Sequence, residues 1–269
     1  MKHVAFAADT YITPPGREKL MHRLLFRCRI YYVVRFILVV LRYWNIARRG
    51  LDHETWSQAS FDMLKVVEDC GGRFHITGLD NLRKVDGPVV FVGNHMSMLE
   101  TQVPISIIYP YKKVVYVIKE QLRNAPFFGA YVQQCISVTR KSPAEDLKQV
   151  LSRGAEKIAS GRSVIIFPQA TRSVEFIPEK FNSLGVKLAK RAGVPVIPMA
   201  LKTDFWGNGK LIKDFGPLNL DKTIYFEFGE PIEITGQGKQ EHERIMEFIQ
   251  TRLSQWRAEE KQSIKESTA

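Results

Sequence analysis

The residues with the clearest capacity for chemistry are His95 and Glu100, in the segment Val92-Gly93-Asn94-His95-Met96-Ser97-Met98-Leu99-Glu100. A neutral imidazole is a base suited to pH 7. A carboxylate on its other nitrogen would fix the tautomer and stabilise the imidazolium as it forms. Such a pair can take the proton of an attacking hydroxyl without any nucleophile from the protein. The spacing alone is weak evidence: six histidines and 28 acids in 269 residues give about 0.6 such pairs by chance, against three present. His75 and Asp80 fall on a predicted strand and its turn. His242 and Glu247 fall inside a predicted helix, where five residues rotate the side chains about 140° apart. His95 differs because it follows the apolar run Pro88-Val89-Val90-Phe91-Val92 and precedes a helical stretch. Ser97-Met98-Leu99-Glu100 is also an S-x-x-E capping box, and the local sequence supports cap and catalytic partner equally.

The elements that must hold this pair alternate along the chain. Short Val- and Ile-rich runs at 73–77, 88–92, 113–118, 135–139, 163–167, 195–201 and 223–228 predict strands, and the continuous apolar ones, such as VVFV and VIIF, suit strands covered on both faces. Helical spacing occupies 54–69, about 98–108, 143–160, 182–192 and 239–258. This order predicts one α/β domain over 51–258 with a largely parallel mixed sheet flanked by helices. Residues 259–269 are expected to be a frayed tail.

Several chemistries are excluded by what is missing. There is no G-x-G-x-x-G, no G-x4-G-K-[ST] and no G-x-S-x-G. The three cysteines (Cys28, Cys70, Cys135) have no C-x-x-C spacing, which excludes a thiolate zinc site and predicts a reducing compartment. Cys135 reads as a core residue. No metal site and no cofactor are expected.

The net charge of +11 is concentrated: residues 1–50 carry +8 and the other 219 only +3. A nucleic-acid interface on the main body is therefore disfavoured. Residues 20–44 read LMHRLLFRCRIYYVVRFILVVLRYW. As one helix, Arg23, Arg27, Arg35, Arg42 and Arg49 share an arc of roughly 120°, with Phe26, Tyr32, Val33, Phe36, Val40, Tyr43 and Trp44 on the other faces. A spanning helix would put Arg35 near the bilayer centre, at on the order of 2.5–3.5 kcal/mol. A helix lying in the interface avoids this, with residues 20–49 on anionic lipid. A core helix with solvated arginines is the alternative. The expected location is the cytoplasmic face of the cell membrane, peripheral or monotopic, and residues 1–15 do not resemble a cleaved signal peptide.

Four blocks in order carry a family resemblance. Residues 93–100 resemble the N-H-x4-D block of the glycerolipid (lysophosphatidic-acid) acyltransferases. Ile136-Ser137-Val138-Thr139-Arg140 sits where the second block ends in arginine. Phe167-Pro168-Gln169-Ala170-Thr171-Arg172-Ser173 resembles F-P-E-G-T-R-S, and Val194-Pro195-Val196-Ile197-Pro198 resembles V-P-[IV]-[IV]-P. Lys119 with Asn124-Ala125-Pro126-Phe127-Phe128-Gly129 matches the intervening segment. The resemblance covers roughly residues 72–201. It implies His95 and Glu100 as the catalytic pair, with Arg140, Thr171, Arg172, Gln169, Lys119 and Pro198 binding substrate. It implies acyl transfer from acyl-CoA or acyl carrier protein to the hydroxyl of a lysophospholipid, foremost 1-acyl-sn-glycerol 3-phosphate. The chain departs from the pattern at three places: Glu100 replaces aspartate, Gln169-Ala170 replaces Glu-Gly, and Cys135 replaces a glycine. These departures keep open another lyso-lipid or amino-acid-derived acceptor, and a non-catalytic lipid-binding protein. The N–H groups of the helix following His95 are expected to be free to hold an oxyanion or phosphate.

Overall fold

A computed structural model describes residues 6, 8–169, 171–207, 209 and 216–268. In chain order these form β1 (Tyr11–Ile12), α1 (Leu20–Leu24), α2 (Arg29–Arg49), α3 (His53–Asp69), β2 (Arg73–Thr77), β3 (Val90–Gly93), α4 (Leu99–Gln102), α5 (Pro104–Ile108) and β4 (Val114–Lys119). Then follow β5 (Ile136–Val138), α6 (Pro143–Ala159), β6 (Ser163–Ile166), α7 (Leu184–Ala192), β7 (Val196–Lys202), β8 (Thr223–Phe228) and α8 (Lys239–Thr268). The strands make one sheet in the order β1-β2-β8-β7-β3-β6-β4-β5. Pairings are parallel except β1 with β2 and β7 with β8, so the sheet is the largely parallel mixed one its sequence predicts.

Each face of the sheet carries its own apolar layer, which is why the central strands are apolar on both sides. One layer joins α2, α3 and α5 to Phe91, Ile165, Ile197 and Met199. The other joins α6, α7 and α8 to Val90, Val92, Val164 and Ala200. Helix α7 presses so closely on β3 that a Cβ on Gly185 would lie 2.3 Å from Val92 Cγ2.

Helix starts follow the local chemistry. Asp52 caps α3 by accepting from Thr55 N–H at 2.7 Å, and Ser142-Pro143 opens α6. The single helix expected near 98–108 is two, because Pro104 lacks the N–H that would continue it. The tail expected to fray is helical through Thr268. Its exposed face is stitched at i,i+4 by Gln255 to Glu259 and Gln262 to Glu266, and Glu260 pairs with buried Lys202.

The first fifty residues are not packed as a separate unit. Glu68, buried on α3, accepts from Tyr11 Oη at 2.6 Å and Thr13 Oγ1 at 2.8 Å. The continuous helix expected over 20–44 breaks at Phe26 and Arg27, both left-handed (φ 53° and 54°). Arg27 there pairs with Glu18 at 3.1 Å and leaves the expected arginine arc. Tyr32, Phe36, Val40 and Tyr43, expected on the lipid side, are buried against the body. Arg35 and Arg42 reach Asp69 and Asp62 on α3, at 3.3 and 3.4 Å. Over residues 20–46 the large apolar residues left exposed are instead Leu20, Met21, Leu24, Leu25, Phe26, Ile30, Val34, Ile37, Leu38, Leu41 and Ile46.

Candidate active site

His95 lies two residues beyond the end of β3. There β7, β3, β6, β4 and β5 stand side by side and point the same way. Open α/β sheets gather ligands outside the carboxyl ends of their strands. The backbone of His95 is clamped by the segment after β6: its N–H donates to Gln169 Oε1 at 3.0 Å, and its carbonyl accepts from Ser173 N–H at 2.9 Å. Asn94 exchanges two hydrogen bonds with the backbone of Leu201 on β7, at 2.7 and 2.9 Å. The imidazole stacks on Phe167, with centroids 4.7 Å apart and planes 11° apart.

Imidazole Nδ1 is 2.5 Å from Glu100 Oε2. Glu100 is fully buried, and a buried carboxylate is tolerable only with a full set of donors. The set is present: the N–H groups of Met96 and Ser97 donate at 3.0 Å, and Thr203 Oγ1 donates to Oε1. An ionised carboxylate only accepts, so Nδ1 carries the proton and the lone pair resides on Nε2. That nitrogen has no hydrogen-bond partner among the described residues, and the side chain is 14% exposed.

The capping contact and the histidine contact are therefore made by one carboxylate. Glu100 accepts from Ser97 N–H, the half of the capping box that the glutamate supplies, and the same carboxylate holds Nδ1; the reciprocal half is not made, because Ser97 Oγ accepts from Leu99 N–H. The expectation of free N–H groups at this helix start is corrected. Those of Met96 and Ser97 are taken by Glu100, and that of Leu99 donates to Ser97 Oγ at 3.1 Å. Helix α4 is also a single turn of four residues.

The other predicted residues divide. Lys119 ends β4 opposite Val138 of β5, and Arg140 lies two residues beyond β5, so both share the His95 edge. Three strand spacings of about 4.8 Å separate the β3 and β5 ends by roughly 14 Å. Arg140 is left-handed (φ 62°), and its N–H donates to Asp146 Oδ2 at 2.7 Å. Burial draws its guanidinium pKa below the ordinary value. Thr171, exposed, and Arg172 lie on the segment between these ends and His95. Ala170 is outside the described residues.

Gln169 is not turned to a substrate: it is buried, and its Oε1 accepts from His95 N–H. A glutamate could accept the same bond, so the neutral amide keeps this clamp. Pro198 is also displaced from the site. It pairs with Val92 in mid-strand, three residues back from the level of His95. It lines a cavity with Gly78, Asn81, Phe228 and Arg244 toward the other end of the sheet. Its carbonyl accepts from Gly229 N–H at 2.8 Å, just past the last residue of β8. Proline is tolerated there because it falls between the Met199–Phe228 pair that ends the β7–β8 ladder and the isolated Val196–Ile232 bridge.

Cys135 is buried, which pushes its thiol up to about 12 and leaves it unreactive at neutral pH. Thr203, Asn94 and Phe167 had no role from sequence. Thr203 follows β7, 103 residues after Glu100, and only the β7–β3 pairing brings them together.

Known proteins resemble the chain in sequence and in fold. The Acyltransferase family model matches residues 73–202. A 1-acyl-sn-glycerol-3-phosphate acyltransferase of Pseudomonas aeruginosa is 29% identical over 209 residues, which are 77% of this chain and 75% of the relative. The chloroplastic 1-acyl-sn-glycerol-3-phosphate acyltransferase BAT2 of Brassica napus is 32% identical over 139 residues, 51% of this chain and 38% of the relative. The fold is that of the crystal structure of the 1-acyl-sn-glycerophosphate acyltransferase from Thermotoga maritima, with TM-score 0.62 and 19% identity over 88% of this chain and 98% of that one. With the ordered blocks, the fold and these relatives in agreement, the chain is an acyltransferase that resembles the glycerolipid acyltransferases.

Proposed function

We propose that the chain transfers a fatty acyl group from a thioester, acyl-CoA or acyl carrier protein, to the free hydroxyl of a lysophospholipid, foremost 1-acyl-sn-glycerol 3-phosphate. The observation that carries this is the outward Nε2 of His95, backed by a buried carboxylate with four donors. Nε2 accepts the hydroxyl proton as the oxygen attacks the thioester carbonyl, and Glu100 stabilises the resulting imidazolium. The tetrahedral intermediate collapses by breaking the C–S bond. The thiolate then takes the proton from Nε2, giving ester and free thiol.

Lys119, Arg140, Thr171 and Arg172 lie on the same sheet edge and suit the phosphate of the acceptor. Gln169 and Pro198 drop out of the binding set in this reading, because the first clamps His95 and the second lines a different cavity. A reaction between a lipid and an acyl donor also calls for contact with the bilayer. Helix α2 is long and apolar enough to cross one, but its inner face is committed to the core. It therefore lies along the interface, with Ile30, Val34, Ile37 and Leu41 toward lipid.

The test is thiol release from each donor with lysophosphatidic acid and with a panel of other lyso-lipids, amino-acid-derived ones included. His95→Ala is expected to lower kcat about 10²- to 10⁴-fold, with the melting temperature reduced by the lost Nδ1–Glu100 hydrogen bond but a cooperative unfolding transition retained. Retained turnover in that variant would end the mechanism. Turnover only with another acceptor would move the substrate assignment.

A further inference from the structure

Helix α2 carries a second cationic feature that the acyl-transfer site does not use. At about 100° per residue, Ile30, Val34, Ile37, Leu41, Trp44 and Arg48 fall within one arc of roughly 80°. The first four are exposed. Arg35 and Arg42 lie on the opposite flank, where Asp69 and Asp62 neutralise them. Arg48 has no such acid among the described residues: it donates to the neutral Asn45 Oδ1 at 3.1 Å and lies over the Trp44 ring at 4.3 Å.

The apolar arc ends at a cleft of about 390 Å³ between the end of α2 and residues 123–133. Arg48 and Arg123 both line it, with Trp44 and Phe127. Arg123 likewise meets neutral acceptors, Gln133 O and Oε1 at 3.2 and 3.3 Å. Phe127 is left-handed (φ 63°), a conformation bulky residues rarely adopt, and its ring meets Trp44 edge-on at 5.1 Å. The loop is tied to itself and to α2 around the cleft. Gln133 Nε2 donates to Gly129 O at 2.9 Å, a Cβ on Gly129 would lie 2.2 Å from Arg123 O, and Tyr131 Oη donates to Val40 O on α2 at 2.7 Å.

Two guanidiniums with no carboxylate partner among the described residues, flanked by two aromatic rings at the end of an exposed apolar stripe, match one ligand chemistry. We infer that this cleft binds the phosphate of an anionic phospholipid of the bilayer, as a docking site separate from the His95 site. The charges complement the phosphate, guanidinium forks suit its oxygens, and Trp-type aromatic rings are favoured beside headgroups. The inference rests on the membrane reading above and gives that surface a specific headgroup contact.

The full-length chain would be sedimented with vesicles of phosphatidylcholine alone, or with phosphatidylglycerol added. Arg48→Gln with Arg123→Gln would be compared with a charge-matched control, Arg153→Gln with Lys239→Gln, on helices α6 and α8 of the opposite sheet face. Wild type is expected to favour the anionic vesicles. The cleft pair is expected to weaken that partitioning about 30-fold, from roughly 1 kcal/mol per basic residue at an anionic surface, and the control pair to change it little. Equal losses in both pairs would reduce the effect to net charge and overturn the site. Equal binding of wild type to both vesicles would also overturn it. Binding to neither would remove the membrane reading itself, and the inference with it. Melting curves of both pairs, altered away from the core, establish that the chain is folded.

Discussion

Replacing Glu100 by glutamine tests whether its carboxylate orients His95 or only caps α4. The glutamine has the same shape, with one oxygen exchanged for a donor. The backbone N–H groups of Met96 and Ser97 are 3.0 Å from both carboxylate oxygens, so the remaining oxygen can face them and Thr203. The new NH₂ then faces His95 Nδ1, now 2.5 Å from Oε2, and Nδ1 must become the acceptor. That moves the proton to Nε2, where the base is needed. In a serine-protease triad the equivalent change lowers kcat by about 10⁴, and the expected loss here is about 10³- to 10⁴-fold in kcat with KM within a few-fold. The loss of one charge-assisted hydrogen bond would cost about 1.5–3 kcal/mol of stability, or roughly 3–12 °C at about 2–4 °C per kcal/mol for a domain of this size. Glu100→Asp keeps the charge but withdraws it by about one C–C bond, and should fall between. The assay is thiol release under saturating donor, with melting curves in parallel. A glutamine variant with wild-type kcat and only a lower melting temperature would refute the reasoning and leave Glu100 as a cap.

Further outcomes follow from individual contacts. Gln169→Glu should hold kcat within about threefold and leave the acceptor ranking unchanged, because either side chain can accept from His95 N–H; an altered acceptor ranking would return residue 169 to the substrate pocket. His53 sets an acid limit on stability. Burial, aided by Arg162 and Lys113, holds its pKa at about 4 against the usual 6.5, and both ring nitrogens lack partners among the described residues. The unfolded chain therefore binds the extra proton between pH 6.5 and 4, so stability falls as pH drops through that window. His53→Phe should flatten that part of the melting-temperature profile, and an unchanged slope would assign it to other groups.

Much of the architecture is legible without coordinates because it depends on local pattern. Apolar runs such as Ser163-Val164-Ile165-Ile166 and Val89-Val90-Phe91-Val92 suit strands covered on both faces, and the helices between them force parallel crossovers. His95 is singled out by its place between strand and helix, and the four blocks carry the family resemblance. The sequence also carries the S-x-x-E pattern, so a capping role for Glu100 is legible in it as well.

Tertiary structure decided the rest. Thr203 meets Glu100 only because β7 adds beside β3, a pairing across about a hundred residues that no local pattern records. The same pairing moved Pro198 away from the site, and Gln169 was turned inward by a backbone N–H on a neighbouring loop. For α2, hydropathy shows that one face must be buried and another exposed, but not which. The acids of α3 and the aromatic Trp206, 4.1 Å from Tyr32, chose the inner face. What remained outside is the apolar stripe ending at Arg48. Periodicity fixes the faces of a helix; only the partners packed against it determine what each face meets.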